Sequence, residues 1–216
     1  MWNWDYALDI LPKMLHALPI TIAATLAGFA IASLFGLLLA VMRRSRYKLI
    51  SYPVIGFVEF IRNTPLLVQL FFLFYALPQF GIALSPFLCG VIGLGLHYST
   101  YMSEVYRSGI EAVDRGQWEA STALNFTKGQ IWLRVILPQA IPPIIPVMGN
   151  YLIVMFKETP LLSAITVVEL MTTAKSLGSQ SFRYVEVFTL AGLLFLVLSY
   201  ASSLVVRTFE LKLNRR

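Results

Sequence analysis

The residues of this chain that could do chemistry are polar groups set into apolar surroundings. Glu59 and Arg62 stand three apart, on one face of a helix, and Asn63, Thr64 and Gln69 follow them. His97, Tyr98, Ser99, Thr100, Tyr101 and Ser103 form a polar run ahead of Glu104. Asn150, Lys157 and Glu158 close another apolar stretch, and Glu169 lies in a polar segment beyond it. Groups like these suit pairing between helices, lining a path for a polar solute, or meeting the two charges of a zwitterion. They do not suit covalent or metal chemistry. His97 has no second histidine or carboxylate at ligand spacing, and the other histidine, His16, sits at the start of a separate apolar run. Cys89 is the single cysteine, a small apolar residue in its context. Gly-x-x-x-x-Gly-Lys-Ser/Thr is absent, as are the spacings of a zinc or serine hydrolase, so no ATP, metal or other cofactor is expected on this chain.

The elements that hold these residues are set by composition. The chain is 57% hydrophobic and only 13% charged, against about 25% charged in soluble domains. Lipid is therefore the expected solvent, with about 20 apolar residues per helical crossing. Residues 14–42 carry no charge and would reach about 43 Å as a helix. Residues 63–103 are also charge-free and hold two crossings, divided at Pro78–Gly81 and Ser85–Pro86. The second begins near Ser51, the third runs from Pro86 to Arg107, and 135–156 and 187–206 make the fourth and fifth. The expected class is thus an all-α integral membrane protein of five transmembrane helices. Pro65 predicts a local bend in the second helix. Pro138, Pro142, Pro143 and Pro146 predict a loosened fourth, with Asn150 toward a polar path. Trp2, Trp4 and Tyr6 suit a segment lying at the headgroups, and the N-terminus has the pattern of no signal peptide.

Orientation follows from the basic residues. Arg43, Arg44, Arg46 and Lys48 follow the first crossing; Arg107, Arg115, Lys128 and Arg134 follow the third; Arg207, Lys212, Arg215 and Arg216 follow the fifth. Lys13, Lys175 and Arg183 fall on the other side. All three clusters are cytoplasmic only if the N-terminus is outside and the C-terminus inside. The net charge of +6 then needs no nucleic acid to explain it.

The loop 107–134 carries its own structural signals. Asp114 with Gln117, and Thr127 with Gln130, have capping-box spacing. They predict a short helix over 115–124, a corner at Asn125-Phe126, and a second helix from 128. Trp118, Glu119, Ala123 and Leu124 give the short helix a compact mixed face, suited either to docking a soluble partner or to resting on lipid. Residues 158–185 are too polar to cross, and predict a re-entrant or external segment around Gly178.

The run Gln117-Trp-Glu-Ala-Ser-Thr-Ala-Leu-Asn-Phe, followed by Val135-Ile-Leu-Pro-Gln-Ala140, resembles the EAA loop of binding-protein-dependent ABC importer permeases. Glu119, Ala120, Ser121, Asn125, Val135, Leu137 and Pro138 stand at the matching positions. Asn125 replaces the family glycine and Ser121 an alanine, and neither change removes the corner or the helix. Phe60–Gln69 and Lys157–Ala164 resemble the polar amino-acid branch. Gly95–Tyr101, Ile141–Pro146 and Ala164–Leu170 resemble permeases for ectoine and hydroxyectoine. The resemblance covers nearly the whole chain, 1–216, as one transmembrane permease domain with a coupling loop at 107–137.

It implies a bacterial inner-membrane permease for ectoine-type solutes or polar amino acids, working by alternating access. ATP acts through partner ATPase subunits. A second permease copy or a sister permease, an extracytoplasmic solute-binding protein and membrane lipid are the other partners implied. The residues implied to couple to the ATPase are Gln117, Trp118, Glu119, Ala120, Ala123, Leu124 and Asn125. The candidate pathway residues are Arg62, Gln69, His97, Tyr101, Asn150, Lys157, Glu158 and Glu169. A secondary transporter and a scaffold subunit without a pathway are the rival readings. No internal repeat supports the former.

Overall fold

A computed structural model describes residues 2–213, and side chains for 2–211. The basic residues Lys212 (its side chain), Arg215 and Arg216 lie outside the described residues. No strand occurs among the described residues. Helix α1 spans Trp4–Arg43. Asn3 caps it by accepting from the Tyr6 N–H, and Asp5 sits in the first turn, where exposed N–H groups favour negative charge. Trp4 and Tyr6 therefore belong to the first turn of this helix, with Trp2 just ahead of its cap.

The second crossing is broken far more sharply than a local bend. Helix α2 (Lys48–Arg62) and helix α3 (Leu66–Phe71, continued by wider and tighter turns to Phe80) meet at 103°. Pro65 has no N–H and sits extended at φ −62°, ψ 137°, so the helical ladder ends there. The chain then turns at Gly81 (φ 82°), and Ser85 caps α4 (Pro86–Glu111) by accepting from Leu88 N–H.

Helix α5 (Arg115–Ala123) and helix α6 (Lys128–Gln130) form the loop. A π turn over Ile131–Ile136 leads into α7 (Leu137–Glu158). Pro142, Pro143 and Pro146 are inside α7, which stays helical through all three. A 3-10 turn (Thr159–Ile165), α8 (Leu170–Ser181) and α9 (Tyr184–Leu213) complete the chain. Gly178 lies within α8 against the Tyr184 ring, and the chain turns after that helix at Phe182, φ 56°.

Among the described residues, three helical segments are long and apolar enough to cross a membrane: α1, α6 through the turn after α7, and α9. The bent pair α2–α3 could form a fourth. Helix α4 is not among them, although 26 residues reach about 39 Å. Its second half is the polar run His97–Ser103. It is also the most enclosed helix, packed along α1 on one side and against α7 on another, and a helix walled by protein need not be apolar all round. Small residues let α1 and α4 approach. A Cβ at Gly36 would stand 2.6 Å from Met102 Cβ, and one at Gly95 would stand 2.8 Å from Ile31 Cβ. The core formed there includes Ala24, Ala32, Leu70, Leu94, Met102 and Met155.

Candidate functional site

At the α2–α3 break, the backbone carbonyls that lose their helical partners must be satisfied. Gln69 does this: its Nε2 donates to Ile61 O at 2.9 Å, Thr64 O at 3.1 Å and Thr64 Oγ1 at 2.8 Å. Its Oε1 is then the acceptor facing His97 Nδ1 at 3.3 Å, so Nδ1 carries the proton. Gln69 therefore braces the bend and orients His97, with little left to offer a solute. Arg62, the last residue of α2, forms no ion pair with Glu59. Its guanidinium carbon stands 5.2 Å over the Tyr101 ring, where the negative π face attracts it.

Tyr101 belongs to an aromatic cluster between α4 and α7. Tyr98 and Tyr101 lie 5.9 Å apart, Tyr101 and Tyr151 5.7 Å, Tyr98 and Tyr151 5.9 Å, and His97 and Tyr101 5.3 Å. Tyr98 and His97 are buried, and Tyr101 and Tyr151 are half-buried. At the far end, two turns beyond Tyr151 on α7, stands Glu158. Glu158 Oε2 is buried with no hydrogen-bond partner, an arrangement that is costly unless a donor or cation arrives. A cation at one end, a carboxylate at the other and phenol rings between them can hold a solute that carries both charges.

Four of the predicted pathway residues, Arg62, Gln69, His97 and Tyr101, are thus assembled around one junction, with Glu158 at its edge. The others are not. Asn150 and Lys157 are exposed side chains outside the cluster. Glu169 is fully buried as the N-cap of α8, accepting from Met171 N–H at 2.9 Å and Thr172 N–H at 2.7 Å. Burial pushes its carboxyl above the usual carboxylate range, against the pull of those bonds. Tyr151 was not singled out in the sequence: a lone tyrosine in a proline-rich apolar helix carries no local signal. Tyr98 had one, its i, i+3 spacing from Tyr101.

The loop forms a second site. Asp114 Oδ1 accepts from Gly116 N–H at 2.6 Å. Gln117 does not reach back to complete the first capping box; its Oε1 instead accepts from Gln139 Nε2 at 3.2 Å, tying α5 to the start of α7. The second box is complete, with Thr127 N–H to Gln130 Oε1 at 2.9 Å and Gln130 N–H to Thr127 Oγ1 at 3.4 Å. Asn125 takes the left-handed corner, φ 56°. Ser121 is buried and donates to Gln117 O at 2.6 Å. Trp118 packs edge-to-face on Trp132 at 5.2 Å. The rest of the predicted coupling face, Glu119, Ala120, Ala123 and Leu124, is exposed, with Leu124 at 69%. A groove of about 460 Å³ beside it is lined by Arg44, Glu111, Arg115, Trp118 and Glu119 among others.

The family model described as "Binding-protein-dependent transport system inner membrane component" matches residues 32–215. A probable amino-acid ABC transporter permease of Sinorhizobium fredii is 44% identical, across 100% of this chain and 96% of its own length. The L-cystine transport system permease of Bacillus subtilis is 36% identical, across 90% and 84%. Among solved structures, an amino acid ABC transporter with histidines superimposes with a TM-score of 0.93 at 34% identity, covering 98% of this chain and 99% of that one.

Proposed function

The chain belongs to the family of inner-membrane components of binding-protein-dependent transport systems, as a permease of the amino-acid ABC importer kind, and we propose that it carries zwitterionic solutes, polar amino acids or ectoine-type compatible solutes, by alternating access. The permease is not itself an enzyme; hydrolysis belongs to a separate ATPase subunit. The observation that carries the solute reading is the pair of opposite charges at the two ends of the tyrosine cluster, Arg62 over Tyr101 and the buried, unpartnered Glu158 oxygen on the helix of Tyr151. Tyr151 and Glu158 are seven residues apart on α7, roughly 10 Å of rise. A compact zwitterion therefore meets the two charges in turn. Its cationic group neutralises the unpartnered Glu158 oxygen, and its carboxylate then passes to Arg62.

In this reading five helices cross the membrane, with α4 as the protein-walled one. The N-terminus faces outward and the C-terminus inward. Residues 107–137 form the coupling loop, whose exposed Glu119, Ala123 and Leu124 dock on the ATPase. A second permease, identical or sister, closes the path, and an extracytoplasmic binding protein delivers the solute. Binding of ectoine and a panel of amino acids to the purified complex tests the solute class: saturable binding of a zwitterion that Glu158→Gln weakens supports it, and selective binding of an anionic or uncharged solute overturns it. Orientation is tested with Arg46→Cys and Ser179→Cys in a Cys89→Ala background. An impermeant thiol reagent on intact cells should label only the Ser179 position, and labelling at Arg46 would contradict the N-out arrangement.

A further inference from the structure

Two adjacent arginines at the end of α1 reach two different parts of the molecule. Arg43, whose side chain is 15% exposed, donates from Nη1 to Glu104 at 3.2 Å and to Ser103 Oγ at 3.1 Å, both on α4. Glu104 also accepts from Arg107 Nε at 3.2 and 3.1 Å and from Arg107 Nη2, and Arg107 in turn pairs with Glu111. Arg44 points elsewhere, its guanidinium carbon 6.0 Å from the centre of the Trp132 ring that packs on Trp118. Only Ala112–Asp114 separate α4 from α5, and Ala112 and Val113 N–H are still bonded back to Ser108 and Ile110. Val113 is itself buried with Val105, Ile136 and Ala140.

We propose that Glu104 is a positioning residue for transport: by clamping Arg43 of α1, while Arg107 of its own helix braces it, Glu104 joins α1 and α4 into one lever, through which displacement of α5 reaches the tyrosine site. The inference rests on the functional reading above and names the route of its coupling. Two routes leave the short helix. One runs directly through the three-residue link into α4. The other runs through Trp118, Trp132 and Arg44 into the end of α1, and returns to α4 across Arg43–Glu104. With the clamp intact, both routes move the same body. Glu104 precedes the link by two turns and follows Tyr101 by three residues, so it lies between the loop and the site on the one helix that carries both. Without the clamp, α1 and α4 can shear at this end, and motion of α5 dissipates there. Glu104 touches no solute in this account, and acts through α4.

The test uses the whole complex in proteoliposomes, reading solute transported per ATP hydrolysed, basal hydrolysis, and stimulation by the loaded binding protein. Glu104→Gln and Arg43→Gln should assemble and hydrolyse ATP at the basal rate, while transport per ATP falls by about five-fold or more. In a Cys89→Ala background, the Arg43→Cys/Glu104→Cys pair should be equally uncoupled. A bifunctional thiol reagent bridging the two cysteines should restore the ratio, an outcome that loss of packing alone would not give. Should a glutamine variant fail to insert, the cysteine pair before and after bridging gives the same reading. A wild-type ratio in the variants, or bridging without recovery, overturns the clamp. Absence of any stimulation in the unmodified complex overturns the functional reading instead.

Discussion

The loop over α5 and α6 and the tyrosine site are built by opposite means. The loop is local: Asp114 to Gly116, Ser121 to Gln117, Thr127 to Gln130 all lie within four residues. Along its outer face Glu119, Ala120, Thr122, Ala123 and Leu124 are exposed among the described residues, and only Ser121 between them is buried. The tyrosine site is assembled from three distant stretches, with Arg62 and Gln69, His97 to Tyr101, and Tyr151 to Glu158 meeting only in the folded molecule. Local bonds make a knob that keeps its shape as it moves. Long-range packing makes a site whose geometry changes when the helices shift. That division suits a machine in which one region is pushed and the other responds.

The largest expected effect falls on the knob. Glu119→Lys reverses an exposed charge in the middle of α5, beyond its first turn, and a surface change there costs by itself no more than about 0.5 kcal/mol. A charged contact buried by a partner costs about 2–5 kcal/mol when broken. The variant should insert normally, co-purify poorly with the ATPase and transport little. Wild-type co-purification together with wild-type stimulated hydrolysis would reduce Glu119 to a surface residue and remove the main support for the pushed region.

The site gives the next effect. Glu158→Gln keeps the shape and removes the charge, and a hydrogen bond to a charged group is worth about 1.5–3 kcal/mol. Solute affinity in the complex should therefore fall about ten-fold to a hundred-fold, with basal ATP hydrolysis unchanged. Unaltered affinity would take Glu158 out of the path and leave Arg62 as a packing residue.

A smaller change is expected in α7, which connects the two regions. Pro142→Ala with Pro143→Ala returns two N–H donors to the helix and stiffens it. Assembly should be retained, with transport slowed several-fold in single-turnover uptake. Full rates would show that these prolines only set packing. The smallest effect tests the corner. Asn125→Ala places a residue with no polar side chain at φ 56° and should destabilise the loop by about 1–2 kcal/mol, whereas Asn125→Gly should be nearly neutral. Hydrogen exchange confined to residues 115–130 reads this, and equal exchange in both variants would contradict the strained corner.

The same division explains what could be read in advance. Caps and corners use residues close in sequence, so α5, the Asn125 corner and the Thr127 box were legible, down to one residue at the helix end. The exception, Gln117, was captured by Gln139, a partner beyond local reach. Pro65 announced a local bend and not a 103° break, because the angle depends on Gln69 satisfying the freed carbonyls. Glu169 looked like a pathway carboxylate because its type is visible and its burial is not. Tyr151 was invisible because its role is set by α4 packing alongside it. Arg43 and Arg44 counted toward orientation, and nothing in their adjacency revealed that they diverge.

The most direct measurement is uptake into proteoliposomes that hold the assembled permease, ATPase and binding protein, with ATP inside or outside and ion gradients imposed or collapsed. The account predicts accumulation of a zwitterionic solute against its gradient only where hydrolysable ATP reaches the ATPase, and at the same rate when ion gradients are collapsed. Accumulation driven by an ion gradient without ATP would contradict it and make the chain a secondary carrier.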